Sequence, residues 1–513
     1  MKISTATAWA MFGAMVFGNF MAILDIQIVA SSINEIQAGL SASQSEVAWV
    51  QTIYLIAEVI AIPLSALMSN LMSTRIYFTI SALGFSISSL LCGFAWNLES
   101  MLVFRAFQGF LGGGMIPTTM AALFVLFPRQ KQAIPMVVVG MVSTLGPAIG
   151  PTLGGWLTTH FSWHWMFFIN IVPGLFIASF VYSAQDLDKP NPGLLYKIDW
   201  LGLASMAVFL GGLEYFLDEG PRNDWFADEA ILYTFIACVS AAMIFFYRCL
   251  TREHPIVDLS IYKNRNFTVS SLMTFVLGVA LYGMVYLVPV FLGQVRGMNS
   301  SQIGHVMLVM GITMFLFAPF VGSVMSRFDA RKVIFAGLSI AALGVLMNAH
   351  LTVQSDFAEF FWPQVLRGMG MMMGLILMSQ LAMSTLPLDK IKGASGIYNL
   401  TRNIGGAIGL AIINTMMERN MAQHVSTLHS NITADNLGAV DYLHQTADRF
   451  RSVAGDQADQ LAIAMLERQV HVQALTLTFN DILKVLALVM FLTAFLVLLV
   501  KKPAQMPAHS GGH

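Results

Sequence analysis

Residues 140–155 read Gly-Met-Val-Ser-Thr-Leu-Gly-Pro-Ala-Ile-Gly-Pro-Thr-Leu-Gly-Gly, inside an uncharged run from 133 to 157. A run of that length suits a helix crossing roughly 30 Å of hydrocarbon. Gly146, Gly150 and Gly154 recur at every fourth residue, with Gly155 beside them, so the helix carries a flat stripe that lets another backbone come close. Pro147 and Pro151 lie one step round the helix and remove backbone donors, which predicts a bend. The stripe reads as a hinge or close-packed seam, not as a binding surface.

The pattern returns later in the chain. A shift of 259 residues, from 146 to 405, lays Gly146-Pro-Ala-Ile-Gly150 on Gly405-Gly-Ala-Ile-Gly409. It also lays Pro128 and Lys131 on Pro387 and Lys390, Gln108-Gly109 on Arg367-Gly368, and Arg105 on Gln364. One offset shared by three motifs predicts two halves of like fold. Paired six-helix repeats place a transported molecule near the middle of the membrane, between the halves.

Composition fits a membrane-embedded chain. Of 513 residues, 56% are hydrophobic and 11% charged, where soluble proteins carry about 25% charged residues. The net charge of -1 gives no electrostatic footprint for nucleic acid. Cys92, Cys238 and Cys249 have neither disulfide-framework nor zinc spacing. Fourteen stretches can cross a bilayer, at about 7–31, 47–68, 76–96, 100–127, 133–157, 164–184, 201–217, 229–249, 267–293, 303–325, 333–351, 360–386, 394–415 and 480–500. The expected architecture is therefore an all-α membrane protein: an N-terminal six-helix half (1–184), a linker with two inserted membrane helices (185–266), a C-terminal six-helix half (267–500) and a tail (501–513). Most of the 27 Lys and Arg, among them Arg75, Lys131, Lys197, Lys263, Arg331 and Lys390, fall in loops and tails of one side. The short loops of the other side hold only Arg222 and Arg296. Positive residues stay inside, so both termini are expected in the cytoplasm. Residues 416–478 form a long polar stretch on the outer side, with helical, amphipathic patterning at Tyr442–Arg451 and Gln457–Val472. It reads as a solvated cap, or as a lid or docking surface for an extracytoplasmic partner.

An ionisable side chain at bilayer depth costs roughly 2.5–3.5 kcal/mol on insertion scales, so each one asks for a role. Asp25, Glu58, Arg105, Arg367 and Arg402 lie within spans. Glu214, Asp481 and Lys484 lie near span ends and are expected to reach the interface. Asp25 is the first choice for a group that takes and releases a proton, because an apolar setting disfavours an isolated carboxylate. An ion pair with a buried arginine is compatible with that role, and Glu58 is the second choice. Arg105, Gln108, Gly109 and Gly112 share one helix face. Gln108, Arg367, Asn399 and Arg402 are candidates to line a substrate cavity, with the 34 Met and 37 Phe supplying adaptable apolar surface. No catalytic residue, metal or cofactor is expected. His160 and His164 lack a third ligand, and no phosphate-cradling loop occurs.

These motifs resemble those of the fourteen-helix drug:proton antiporters of the major facilitator superfamily, in particular the EmrB-type multidrug efflux pumps. The stretch from Gly140 to Gly155 is similar to the antiporter motif of span 5, Leu24-Asp25 to the span 1 signature, and Arg105-x-x-Gln108-Gly109 to the span 4 motif. Trp163-His-Trp165-Met-Phe-Phe-Ile-Asn170-Ile-Val-Pro173-Gly174, Pro255-Ile-Val-Asp258-Leu259 with Phe267, and Asn399-Leu-Thr-Arg402-Asn403-Ile-Gly405-Gly406 also fit. One stretch departs. The family's Gly-x3-Asp-Arg pattern between spans 2 and 3 is replaced by Ser65-Ala-Leu-Met-Ser69-Asn70 followed by Arg75, so its acidic residue is missing. The resemblance implies proton-driven export of hydrophobic or amphipathic toxic compounds across a bacterial inner membrane. It also implies a tripartite pump with a periplasmic membrane-fusion adaptor (EmrA-type) and a TolC-type outer-membrane channel, for which 416–478 is the natural contact. A proton-coupled uptake symporter of the same fold is the first rival, and a membrane-embedded sensor or enzyme the second.

Overall fold

A chain in hydrocarbon must satisfy its own backbone groups, and an unbroken helix does so within each segment. All regular structure among the described residues is helical. The computed structural model describes residues 4–128, 131–387, 390–432 and 435–501. In the N-terminal half lie α1 (Thr5–Ser31), α2 (Ile33–Leu40), α3 (Gln44–Met72), α4 (Thr74–Gly93), α5 (Leu98–Gly113), α6 (Met115–Leu126), α7 (Ala133–His160), α8 (Trp165–Phe168) and α9 (Ile171–Ser183). Then come α10 (Trp200–Glu219) and α11 (Glu229–Thr251). The rest is α12 (Arg265–Gln294), α13 (Ser300–Arg327), α14 (Ala330–Met347), α15 (Phe357–Ser384), α16 (Ile391–Ser430), α17 (Leu437–Ala454) and α18 (Ala458–Phe495).

Each of the fourteen expected spans coincides with one helix, or with a pair broken at Gly114 (α5 and α6) or Ile169-Asn170 (α8 and α9). Among the described residues, twelve of these segments are long and apolar enough to cross a membrane. The two without such a window are α7, part of which lies outside the described residues, and α16, where Asn399, Arg402 and Asn403 interrupt the apolar run. The prolines do not break α7, which stays helical from Ala133 to His160; the side chain of Pro147 lies outside the described residues.

Packing repeats with the sequence. A Cβ on Gly109 would run into the Tyr54 carbonyl of α3, and one on Gly368 would lie 2.9 Å from the Met310 carbonyl and 3.1 Å from Thr313 Cβ of α13. Tyr54 and Thr313 are themselves 259 apart, so α3 with α5 and α13 with α15 are the same helix pair built twice. In the first half Gly146 and Gly150 seat α7 against Ile23 and Gln27 of α1; in the second, Gly405 and Gly409 seat α16 against Phe275 and Val279 of α12. The stripe is thus a seam in both halves. Large apolar side chains such as Phe107, Phe176, Tyr247, Leu316 and Leu488 point outward, as a surface wetted by lipid requires.

The polar stretch 416–478 is where the fold departs most from the expected one. It is no separate cap: α16 runs on to Ser430, and α18 starts at Ala458 and continues through the last span. At 1.5 Å per residue the 40 residues of α16 reach about 60 Å, twice the hydrocarbon thickness. His424 of α16 bonds Asp481 of α18 at 2.9 Å, and α17 lies along α18, so the extensions form one hairpin of helices.

Candidate functional site

The break between α8 and α9 matters for the site. Asn170 begins α9 but makes no capping bond. Its amide turns inward and donates to Asp25 Oδ1 at 2.8 Å. Arg105 Nη1 donates to Asp25 Oδ2 at 2.7 Å, and Gln108 Nε2 donates to Oδ1 at 3.0 Å. Arg105 and Gln108 stand one turn apart on α5, and Arg105 Nη1 also donates to Gln108 Oε1 at 2.8 Å. The guanidinium is held from its other side by the Val50 carbonyl (3.1 Å from Nε) and lies 4.2 Å from the Tyr54 ring centroid. Asp25, Arg105 and Gln108 are fully buried. The expected pairing of Asp25 with a buried arginine is therefore present, and it is completed by Asn170, which the sequence reading quoted only as part of the span 6 motif, and by Tyr54, which it did not single out. An asparagine inside the apolar run from Trp165 to Ile177 was the available signal.

The arrangement has a chemical consequence. All three side chains on Asp25 present N–H groups, and an ionised carboxylate only accepts. Two donors fill Oδ1 and one holds Oδ2, so a proton is accommodated on the remaining lone pair of Oδ2, where it removes the charge that holds Arg105. Arg105 Nη2 has no hydrogen-bond partner among the described residues. The guanidinium thus has a donor to spare when the carboxylate lets go.

The other predicted residues fall elsewhere. Glu58 is buried on α3, with its Cγ 3.0 Å from where a Cβ on Gly113 would stand, and within electrostatic reach of Arg402 and Arg105. Arg402, half-buried on α16, faces this region beside Tyr282, whose hydroxyl donates to Asn403 Oδ1 at 3.3 Å. Asn399 is buried and bonds the Ser395 carbonyl of its own helix at 2.9 Å. Arg367 is packed in the interior of the C-terminal half, donating to Gln364 Oε1 at 2.8 Å and Met310 Sδ at 3.5 Å. Arg367 and Gln364 repeat the contact of Arg105 and Gln108 with donor and acceptor exchanged, as the 259-residue offset implies. Met371, Met372 and Met378, further along α15, are core. Glu214 corrects an expectation: instead of reaching the interface, it is half-buried on α10 within electrostatic reach of Glu58.

The halves also meet at their lysine-rich end. Lys392, at the start of α16, bonds Asn70 Oδ1 at 3.0 Å and pairs with Asp188. Asp188 accepts from the Thr74 backbone N–H (2.8 Å) and hydroxyl (2.9 Å), and Asp186 pairs with Arg75 at 2.7 Å. The acidic residue missing between spans 2 and 3 is thus supplied from the segment after α9. Nearby, Ser395 Oγ donates to the Pro117 carbonyl at 3.2 Å. Burial works against the Asp258 carboxylate, yet hydrogen bonds from Ser260 and Lys390 hold it below its ordinary range. Arg248 holds Asp199 below its range in the same way, tying α10 to α11.

Comparison with known proteins agrees with this architecture. The sequence profile of the Major Facilitator Superfamily matches residues 15–410. The chain is 57% identical to the colistin resistance protein EmrB of Acinetobacter baumannii, with 98% of each covered. It is 28% identical to the multidrug export protein EmrB of Escherichia coli, over 97% of this chain and 96% of that one. Among solved structures, the human organic anion transporter MFSD10 (TETRAN) superposes with a TM-score of 0.57 at 12% identity, over 94% of this chain and 99% of that one, a likeness of fold.

Proposed function

The chain belongs to the major facilitator superfamily and is a multidrug efflux transporter of the EmrB type, and from that premise we propose that it trades entering protons for amphipathic toxic cargo at Asp25. The observation that carries the proposal is the sealed Asp25–Arg105 pair, bonded by donors only. With the outer side open, Asp25 takes a proton, its hold on Arg105 weakens and cargo leaves. With the inner side open, the proton is lost to the cytoplasm, the pair re-forms and cargo enters. Each charge moved inward brings about 2.3 kcal/mol per 100 mV of membrane potential.

In this scheme residues 1–184 and 267–500 rock as the two bodies, with 185–266 riding between them. The Gly146, Gly150, Gly154 stripe with Pro147, Pro151 and Gly155 is the seam about which α7 moves. Glu58 is the second proton-linked group, and Gln108 and Asn170 orient Asp25. Arg402 and Asn399 belong to the cargo space, and Arg367 acts from behind its wall. The protein sits in the bacterial inner membrane with both termini in the cytoplasm. The α16–α18 hairpin docks an EmrA-type adaptor that leads to a TolC-type channel.

The test is exchange in vesicles under an imposed pH gradient. Asp25→Asn is expected to abolish proton-coupled cargo movement while the protein stays folded in the membrane. Exchange at the native rate in that variant would rule Asp25 out as the carrier.

A further inference from the structure

The two amides that hold Asp25 are themselves held from behind by α4. Ser89 and Cys92 lie one turn apart on the same face of that helix, and both are fully buried. Ser89 Oγ donates to the Phe167 carbonyl at 2.8 Å, beside the break between α8 and α9. A hydroxyl has a single hydrogen to give, so towards Asn170, whose Nδ2 lies 3.1 Å away, the same oxygen can only accept. That fixes which end of the Asn170 amide turns inward: the NH2 group, which also meets Asp25 Oδ1 at 2.8 Å. Cys92 acts on the second amide. Its thiol donates to Gln108 Oε1 at 3.5 Å, which leaves Gln108 Nε2 facing Asp25 Oδ1 at 3.0 Å. α9 comes close enough for this because Gly174, one turn beyond Asn170, makes room for α4; a Cβ there would collide with Ser86 Oγ.

Packing alone does not ask for a hydroxyl and a thiol at these places. The 259-residue offset lays Ser89 on Asn348, Cys92 on Leu351 and Asp25 on Met284. The Asn348 amide is buried with neither end bonded among the described residues, and Leu351 is apolar. The helix pairs repeat, whereas the polar layer stands only in the half that carries the carboxylate. That layer decides where a proton can go. With both amides turned as they are, Oδ1 is filled, and the open lone pair belongs to Oδ2, the oxygen that holds Arg105. An amide turned the other way would offer its oxygen to Oδ1. A proton could then sit there, in a hydrogen bond to that amide, while Oδ2 kept Arg105. Arg105 Nη1 also holds Gln108 Oε1, so Cys92 matters most once Arg105 has left, and Ser89 matters throughout.

We propose that Ser89 and Cys92 of α4 are positioning residues that direct the proton to Oδ2 of Asp25, so that protonation and release of Arg105 are one event. The inference rests on Asp25 as the proton carrier and adds what regulates it. Without the pair, a proton on Oδ1 neutralises the carboxyl yet leaves Arg105 bound, and protons cross without moving cargo.

The test is pH-difference infrared spectroscopy of the purified full-length protein in detergent, which reads the C=O stretch of a protonated carboxyl. Asp25 is assigned by the band that Asp25→Asn removes. In the wild type that carbonyl oxygen is Oδ1, and each N–H bond it accepts lowers the frequency. Ser89→Ala is expected to move the band to higher frequency and to raise the pH at which it is half-formed by about one unit, the worth of one hydrogen bond to a carboxylate. Cys92→Ala is expected to raise the frequency with a smaller change in that pH, and Cys92→Ser, which keeps a donor, to restore the wild-type band. A Ser89→Ala band at the wild-type frequency and pH overturns the positioning role while leaving Asp25 as the carrier, as does a Cys92→Ser band that stays with that of Cys92→Ala. Should Ser89→Ala not purify as a monodisperse protein, Cys92→Ala is read in its place, with an unchanged frequency as the overturning result. A wild-type protein with no band that Asp25→Asn removes overturns the carrier reading and this inference with it.

Discussion

At the scale of single residues, Arg105 is the test of how much geometry counts beyond charge. Its guanidinium holds Asp25, Gln108 and the Val50 carbonyl at once, a fork that a lysine ammonium cannot reproduce. Arg105→Lys keeps the charge and loses the carbonyl bond, where hydrogen bonds to charged groups are worth about 1.5–3 kcal/mol. Transport by that variant, measured at equal membrane abundance, is expected to fall at least tenfold; a native rate would mean that charge alone suffices. Asp25, Arg105 and Gln108 were legible because ionisable and amide groups stand out in an apolar run. Asn170 stood only as part of the span 6 motif and Tyr54 was not singled out, because their partners Asp25 and Arg105 lie far along the chain. Glu214 was misjudged for a related reason: polarity rises towards the end of α10, which mimics a helix surfacing at the interface, whereas α10 lies against α3.

At the scale of elements, the glycine seam has no room to spare. A Cβ on Gly150 would collide with Gln27, and one on Gly146 would stand 2.6 Å from Ile23 Cγ2. Gly150→Leu is expected to force α7 off α1 and to lower the unfolding temperature in detergent by several degrees or more, together with loss of transport. The pairing of α10 with α11 through Asp199 and Arg248 has a pH signature. The folded Asp199 carboxyl ionises below its ordinary range, so its stabilisation is complete above about pH 4 and is lost as pH falls through the lowered folded value. A thermal scan series from pH 6 to pH 2 is expected to show a loss of about 1–2 kcal/mol that Asp199→Asn already shows at pH 6. The position of each helix was legible from apolar runs, and twelve of the fourteen expected spans are long and apolar enough to cross a membrane among the described residues, but helix length was not legible. The expected thirteenth and fourteenth spans ended where polar residues began, while α16 and α18 continue because His424 and Asp481 bridge them and α17 covers one side.

At the scale of the whole molecule, the two-half plan was written in the 259-residue offset, and the proposed cargo space is the region where the halves face each other. The contact at the lysine-rich end was not legible, since Asp188, Thr74 and Lys392 meet only through folding. Asp188→Asn is expected to loosen that end: a cysteine at Ser395 should react with a membrane-impermeant maleimide about fivefold faster, the equivalent of about 1 kcal/mol for a partly exposed pair. An unchanged rate would mean that the contact does not hold the end shut. Lys392 belongs to the first turn of the same helix that ends, 40 residues from its start, at Ser430. Such a rod is a lever. A tilt of about 10° at its base sweeps its tip through about 10 Å, so a body clasping the tip would feel, as mechanical displacement, whether the lysine-rich doorway is bolted, and by gripping hard could itself turn the bolt.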